Sequence, residues 1–146
     1  MNLLIEAIWD CLELAENCGI KILLETDLPP IDFKSLIDTF EGRVGLSYDT
    51  GNSTYFGFDQ YEEIIILGDA IENIHIKDCI RGEPYKTVSL GTGETPFEDC
   101  FKAFNQIGYI GNFIIQAARE QDDFSAAKRF LSLTQVYIDK YLKFHE

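Results

Sequence analysis

Histidine is scarce in this chain, with two among 146 residues, and basic side chains are outnumbered, 12 lysines and arginines against 25 aspartates and glutamates. The formal charge of −13 and a pI near 4.4 repel polyanions, which argues against nucleic acid or an anionic membrane as a partner. No run of about 18 uncharged apolar residues occurs, so no membrane span is expected. The start, Met1-Asn2-Leu3-Leu4-Ile5-Glu6, lacks a basic stretch and meets an acid early, unlike a secretory signal. The cytoplasm is the expected compartment. Four cysteines, Cys11, Cys18, Cys79 and Cys100, show no CxxC spacing, which removes a zinc knuckle or a redox pair. They are expected to be reduced, with Cys11 and Cys18 as small buried hydrophobes on one helix.

What is present is a globular composition, 46% hydrophobic and 13% aromatic, in a length that suits one domain, residues 1–146. Helical and strand-like segments alternate. Residues 2–18 place Leu3, Leu4, Ala7, Ile8, Cys11, Leu14 and Ala15 at helical spacing, with Gly19 as the stop. Ile20 to Glu25 reads as a buried strand. Pro29-Pro30 breaks the chain, and Asp32 is expected to cap a helix through Phe33, Leu36, Ile37 and Phe40. Val44 to Asp49 is a second strand. Asp59 and Glu62 open the helix Gln60 to Leu67, and Ile71 to Lys77 is a third strand. Beyond a glycine-rich loop, Thr95-Pro96-Phe97-Glu98 reads as a capping box for a helix through Phe101, Phe104 and Ile107. A fourth strand covers Phe113 to Gln116, and a last helix runs from Asp122 or Asp123 through Phe130, Leu133, Val136 and Tyr137 to about Leu142. This order calls for a parallel α/β sheet with helices outside it.

Each strand-like run ends on a side chain that can bind metal: Glu25, Asp49, His75 and Gln116. Strand C-termini of a parallel α/β protein face one side, so the four can converge there. Two carboxylates, an imidazole and a carboxamide make a mixed oxygen and nitrogen site for a divalent cation. Manganese suits that set best, with magnesium, cobalt or zinc as alternatives. The second histidine, His145, sits in the terminal tail and is expected to be inert.

The ordered series Leu24-Glu25, Asp49-x-Gly-Asn52, His75-Ile-Lys-Asp78, Leu90-Gly-x-Gly93 and Ile115-Gln116 resembles the second half of a xylose isomerase-like TIM barrel. Within that fold it is similar to the sugar (phosphate) isomerase/epimerase group. The resemblance covers about residues 10–120 and implies (β/α) units forming strands five to eight of a barrel whose N-terminal half is absent. It implies that Glu25, Asp49, His75 and Gln116 hold one divalent ion, with Glu25 as catalytic base. Asn52, Lys77, Arg81 and Arg119 would contact a small sugar or sugar phosphate. The implied chemistry is proton abstraction next to a carbonyl through a metal-stabilised enediolate. Where relatives carry a glutamate this chain has Gln116, which cannot take a proton near neutrality and favours a one-base reaction over two-base epimerisation. A lone half-barrel exposes two sheet edges, so a homo-oligomer is expected. Two alternatives stand beside this reading. One is a non-catalytic half-barrel for sugar binding or assembly. The other is an AP endonuclease-like site of the same fold, which two histidines and the acidic charge disfavour.

Overall fold

The computed structural model describes residues 2–83 and 86–143. The chain alternates helix and strand: α1 (Asn2–Asn17), β1 (Ile22–Leu24), α2 (Pro30–Asp38), β2 (Val44–Asp49), α3 (Thr50–Phe56), α4 (Gln60–Leu67), β3 (Ile71–Ile76), β4 (Asp78–Cys79), β5 (Thr87–Val88), α5 (Phe97–Gln106), β6 (Asn112–Ile115) and α6 (Asp123–Tyr141). The main sheet is parallel throughout, in the order β1-β2-β3-β6. The fold is therefore the α/β class expected, with strand neighbours following chain order as in a barrel wall.

Side chains of a strand alternate between two faces, and here the faces differ in chemistry. Leu46, Tyr48, Ile74 and Ile76 point to the helices and are buried with Phe33, Ile37, Ile64, Phe101 and Phe104 in one core. Gly45, Ser47 and Asp49 of β2 and Asn73 and His75 of β3 share the other face, with Ser47 opposite Asn73 and Asp49 opposite His75. An irregularity between Leu46 and Ser47 sets that register. Gly45 is needed because a Cβ there would stand 2.4 Å from a side-chain carbon of Glu72.

Behind the sheet lies a buried polar network. The Tyr48 hydroxyl donates to Glu63 Oε2 at 2.9 Å, and the Cys100 thiol donates to Gln60 Oε1 at 2.7 Å. Gln60 in turn donates to the Thr50 carbonyl at 2.9 Å and to Thr54 Oγ1. Burial pushes the Glu63 carboxyl and the Cys100 thiol up from their ordinary ranges. This network braces the first turn of α3, which carries the site.

Several local expectations are corrected. Cys11 and Cys18 are exposed, because α1 buries the stripe through Ile8 and Leu12 and leaves Leu3 and Leu14 outside with them. Asp32 lies within the first turn of α2 rather than capping it; Pro29 holds the cap position without a side-chain hydrogen bond. Thr95 likewise does not cap α5, since its hydroxyl is shared with Thr54 at 2.9 Å and donates to the Lys77 carbonyl at 3.3 Å. Val136 is 59% exposed on α6. Helix α3 fills a segment given no element in the sequence reading, and β4 and β5 pair within the segment read as a glycine-rich loop.

Candidate metal centre

Asp49 is the last residue of β2 and also the cap of α3, where its Oδ1 accepts the Asn52 N–H at 2.8 Å. That bond satisfies one of the free N–H groups at the helix start and fixes the carboxylate, leaving Oδ2 turned toward β3. His75 stands directly opposite in the sheet. Its Nδ1 lies 3.9 Å from Asp49 Oδ2 and 3.3 Å from Glu25 Oε2. Glu25 follows β1, so three consecutive strands each contribute one group. Ligand atoms of Glu25, Asp49 and His75 all lie within 4.8 Å of one another.

The surrounding residues fix this cluster from two sides. Asn52 Nδ2 donates to Glu25 Oε1 at 2.9 Å, while Lys77 Nζ donates to Asn52 Oδ1 at 2.9 Å and pairs with Asp49 Oδ2 at 3.4 Å. Thr50 Oγ1 accepts the Lys77 N–H at 2.9 Å and donates to the Lys77 carbonyl at 2.7 Å, locking the end of β3 to α3. Beside the cluster opens a cavity of about 320 Å³ lined by Glu25, Asp27, Asn52, Tyr55, Phe56, Lys77 and Cys79. Acids, a cation and two rings at its wall suit a polyhydroxylated molecule of sugar size. Burial raises the Cys79 thiol from its ordinary range, so it meets the cavity as a neutral group.

Glu25, Asp49 and His75 fit a divalent cation on their own chemistry. Two carboxylates match a 2+ charge, and the imidazole supplies a borderline nitrogen donor. His75 Nδ1 is buried, turned to both carboxylates, and has no hydrogen-bond partner. Ligands about 2.1 Å from one ion at right angles stand about 3 Å apart, close to the 3.3 Å between His75 and Glu25. Gln116 lies one residue past β6, and its N–H donates to the Ile76 carbonyl at 3.0 Å. Strand alternation puts it on the His75 face, and it is exposed.

The four expected substrate contacts divide. Asn52 and Lys77 line the cavity. Arg81 is exposed and packs against Gly57, where a Cβ would stand 3.6 Å from Nη1. Arg119 lines a separate groove between β6 and α6 with Ile115, Ala126 and Phe130. His145 lies outside the described residues. Two structural partners escaped the sequence reading, as did the role of Asp78 within the His75-Ile-Lys-Asp78 motif. Ser47 and Asn73 flank the His75 ring, and their place two residues before Asp49 and His75 was the available signal. Asp78 is 1% exposed and gathers the N–H groups of Gly91 at 2.9 Å, Gly93 at 2.8 Å and Thr95 at 3.1 Å. The Gly91-Thr92-Gly93 turn thus serves the loop, with those N–H groups already committed. A Cβ at Gly93 would fall 2.2 Å from Asp78 Oδ1, so only glycine fits.

A parallel strand–helix series with acids and a histidine gathered at the strand ends is the arrangement of a barrel wall carrying a candidate cation site. The profile of the family described as xylose isomerase-like TIM barrel matches residues 1–133, and this chain belongs to that family. L-ribulose-5-phosphate 3-epimerase UlaE of Salmonella paratyphi A is 32% identical over 80 residues, 55% of this chain and 28% of the relative. The Escherichia coli K12 protein of the same name matches to the same extent. Among solved structures, a xylose isomerase domain protein from Planctomyces limnophilus superposes with TM-score 0.82 at 23% identity, over 96% of this chain and 52% of that one. A D-allulose 3-epimerase from Methylomonas sp. gives 0.75 at 17% identity, over 91% and 54%. The chain spans about half the length of these solved relatives and 28% of the curated ones. No helix among the described residues is long and apolar enough to cross a membrane.

Proposed function

We propose that this chain supplies the metal-binding half, strands five to eight, of a sugar or sugar-phosphate isomerase/epimerase, residues 1–146 forming one domain. The observation that carries this is the convergence of Glu25, Asp49 and His75 within 4.8 Å beside a sugar-sized cavity. The names of the relatives, which act on ribulose phosphate or allulose, point to the same substrate class. The cation, manganese before magnesium, cobalt or zinc, would be held by Glu25, Asp49 and His75, with Gln116 completing the set. When bound, it supplies a positive charge that stabilises the oxyanion formed next to the acidic carbon.

Glu25 is the base. Its Oε1 is oriented by Asn52, and no second carboxylate of the set remains on the Gln116 side. Lys77 and Asn52 bind sugar hydroxyls or the carbonyl oxygen, and Tyr55 and Phe56 shield one face from water. Arg81, and Arg119 from its groove between β6 and α6, are the candidates for binding a phosphate. With one base, aldose–ketose isomerisation is favoured over inversion of a carbon. The two edge strands, β1 and β6, are closed by a further half-barrel, here a second copy, and the assembly works in the cytoplasm. Static light scattering at micromolar concentration tests the assembly; a stable monomer contradicts it.

The chemistry is tested by incubating the manganese-loaded protein with ketoses and ketose phosphates in deuterated water. Deuterium entering at C1 supports isomerisation, and entry at C3 with inversion supports epimerisation and overturns the one-base reading. Substrate binding without exchange favours a sugar-binding module. The AP endonuclease-like alternative has no specific support in this cluster.

A further inference from the structure

Lys77 is held along its whole length. Thr50 Oγ1 bonds both its backbone N–H and its carbonyl. Its stem crosses Gly51 in the first turn of α3, where a Cβ would fall 2.5 Å from Lys77 Cγ and 2.9 Å from Cδ. Glycine at that position leaves the path open, so its missing side chain is a seat for the lysine. At the far end Nζ donates to Asn52 Oδ1 at 2.9 Å and to Asp49 Oδ2 at 3.4 Å. An ammonium has three N–H groups. The third has no partner among the described residues, and Lys77 lines the cavity of about 320 Å³.

Charge gives this seat a consequence. Asp49 Oδ2 is the oxygen that faces His75, so the ammonium and an entering cation would share one carboxylate oxygen. Glu25 and Asp49 by themselves balance a 2+ ion, while a ligating imidazole and the Gln116 carboxamide add no charge. With Lys77 fixed beside them, the loaded centre carries one positive charge in excess.

We infer that Lys77, seated on Gly51, is a built-in second cation of the centre, which lowers its affinity for a divalent ion and reserves the surplus charge for an oxyanion of the substrate. The inference rests on the metal-site reading above. When Glu25 takes the carbon proton, the electron pair of the C–H bond moves onto the carbonyl oxygen. The third N–H of Lys77 donates to that oxygen and keeps its proton, so the contact strengthens as the negative charge develops. The loaded site therefore selects a ligand with one negative charge at this oxygen over its neutral counterpart.

The test is calorimetry on the full chain after chelator treatment. Manganese is titrated first, and glycolohydroxamate, an anionic analogue of an enediolate, is then added to the manganese-loaded protein. Lys77→Met keeps the stem and removes the charge. It should bind manganese about tenfold or more tighter and the hydroxamate about 10- to 100-fold more weakly. A lysine that only held the loop would lower both affinities or neither. Gly51→Ala keeps the charge but drives the stem from its seat, and should shift both affinities the same way by a smaller factor. Unchanged affinities there contradict the seat, and decide the matter should Lys77→Met fail to fold. Manganese binding that is unchanged or weaker in Lys77→Met overturns the inference alone, as does hydroxamate binding that does not fall. No manganese binding by the wild type overturns the inference together with the metal-site reading.

Discussion

On its helix side the sheet buries Leu46 and Ile74 completely and Ile76 to 1% exposure, whereas its other face keeps a buried imidazole nitrogen with no partner. The contrast extends to the acids. Glu63 behind the sheet is hydrogen-bonded to Tyr48 and held toward its protonated form by burial. Glu25 in front remains 36% exposed and faces another carboxylate across His75. One face is arranged to be satisfied by the chain itself. The other gathers like charges that only an external cation or the Lys77 ammonium can offset, and that difference separates scaffold from site.

Four substitutions sharpen or break this contrast. Phe104→Ala, at a fully buried ring that packs edge-on against Tyr48 and Phe101, should cost about 3–5 kcal/mol in denaturant unfolding. Cation affinity per folded molecule should stay unchanged; a parallel loss would mean that the two faces are not independent. Asp49→Ala removes a proposed ligand and a helix cap together. It should weaken divalent-cation binding by about 100-fold or more, and lower stability by about 1 kcal/mol. An intact affinity would move the centre elsewhere.

Asp78→Ala leaves three loop N–H groups without their acceptor and should destabilise by about 2–3 kcal/mol, seen as earlier unfolding and faster hydrogen exchange at Gly91 and Gly93. Unchanged exchange there would show that the loop is held by something else. The smallest effect is expected at Glu63. Because its folded pKa is raised, its contribution is fully present below the unfolded value of 4.5 and is lost as pH rises through the folded value. Glu63→Gln should therefore match the wild type in acid and be the more stable of the two at neutral pH. Parallel stability curves across that range would contradict the burial argument.

Much of this was legible beforehand for a physical reason. Helix-side positions such as Phe33, Leu36, Phe101 and Phe104 follow periodicity, and strand ends must share one side of a parallel sheet, which exposed Glu25, Asp49 and His75. Cys11 and Leu14 were misread because α1 carries more apolar residues than one stripe can bury, and spacing alone does not say which stripe wins. Asp32 and Thr95 have cap chemistry, but proline at the helix start and the Thr54 hydroxyl nearby claimed those roles. Asp78 stood in the motif after His75, but its role was hidden because its partners are backbone N–H groups of a distant loop, which no side-chain pattern reports.

The central proposal is one cation per chain held by Glu25, Asp49 and His75. Calorimetric titration of chelator-treated protein with manganese, for the wild type and His75→Ala, tests this most directly. One site per chain in the wild type, abolished or weakened by at least about 100-fold in the variant, is the predicted result. No binding in either protein, or equal binding in both, would contradict it.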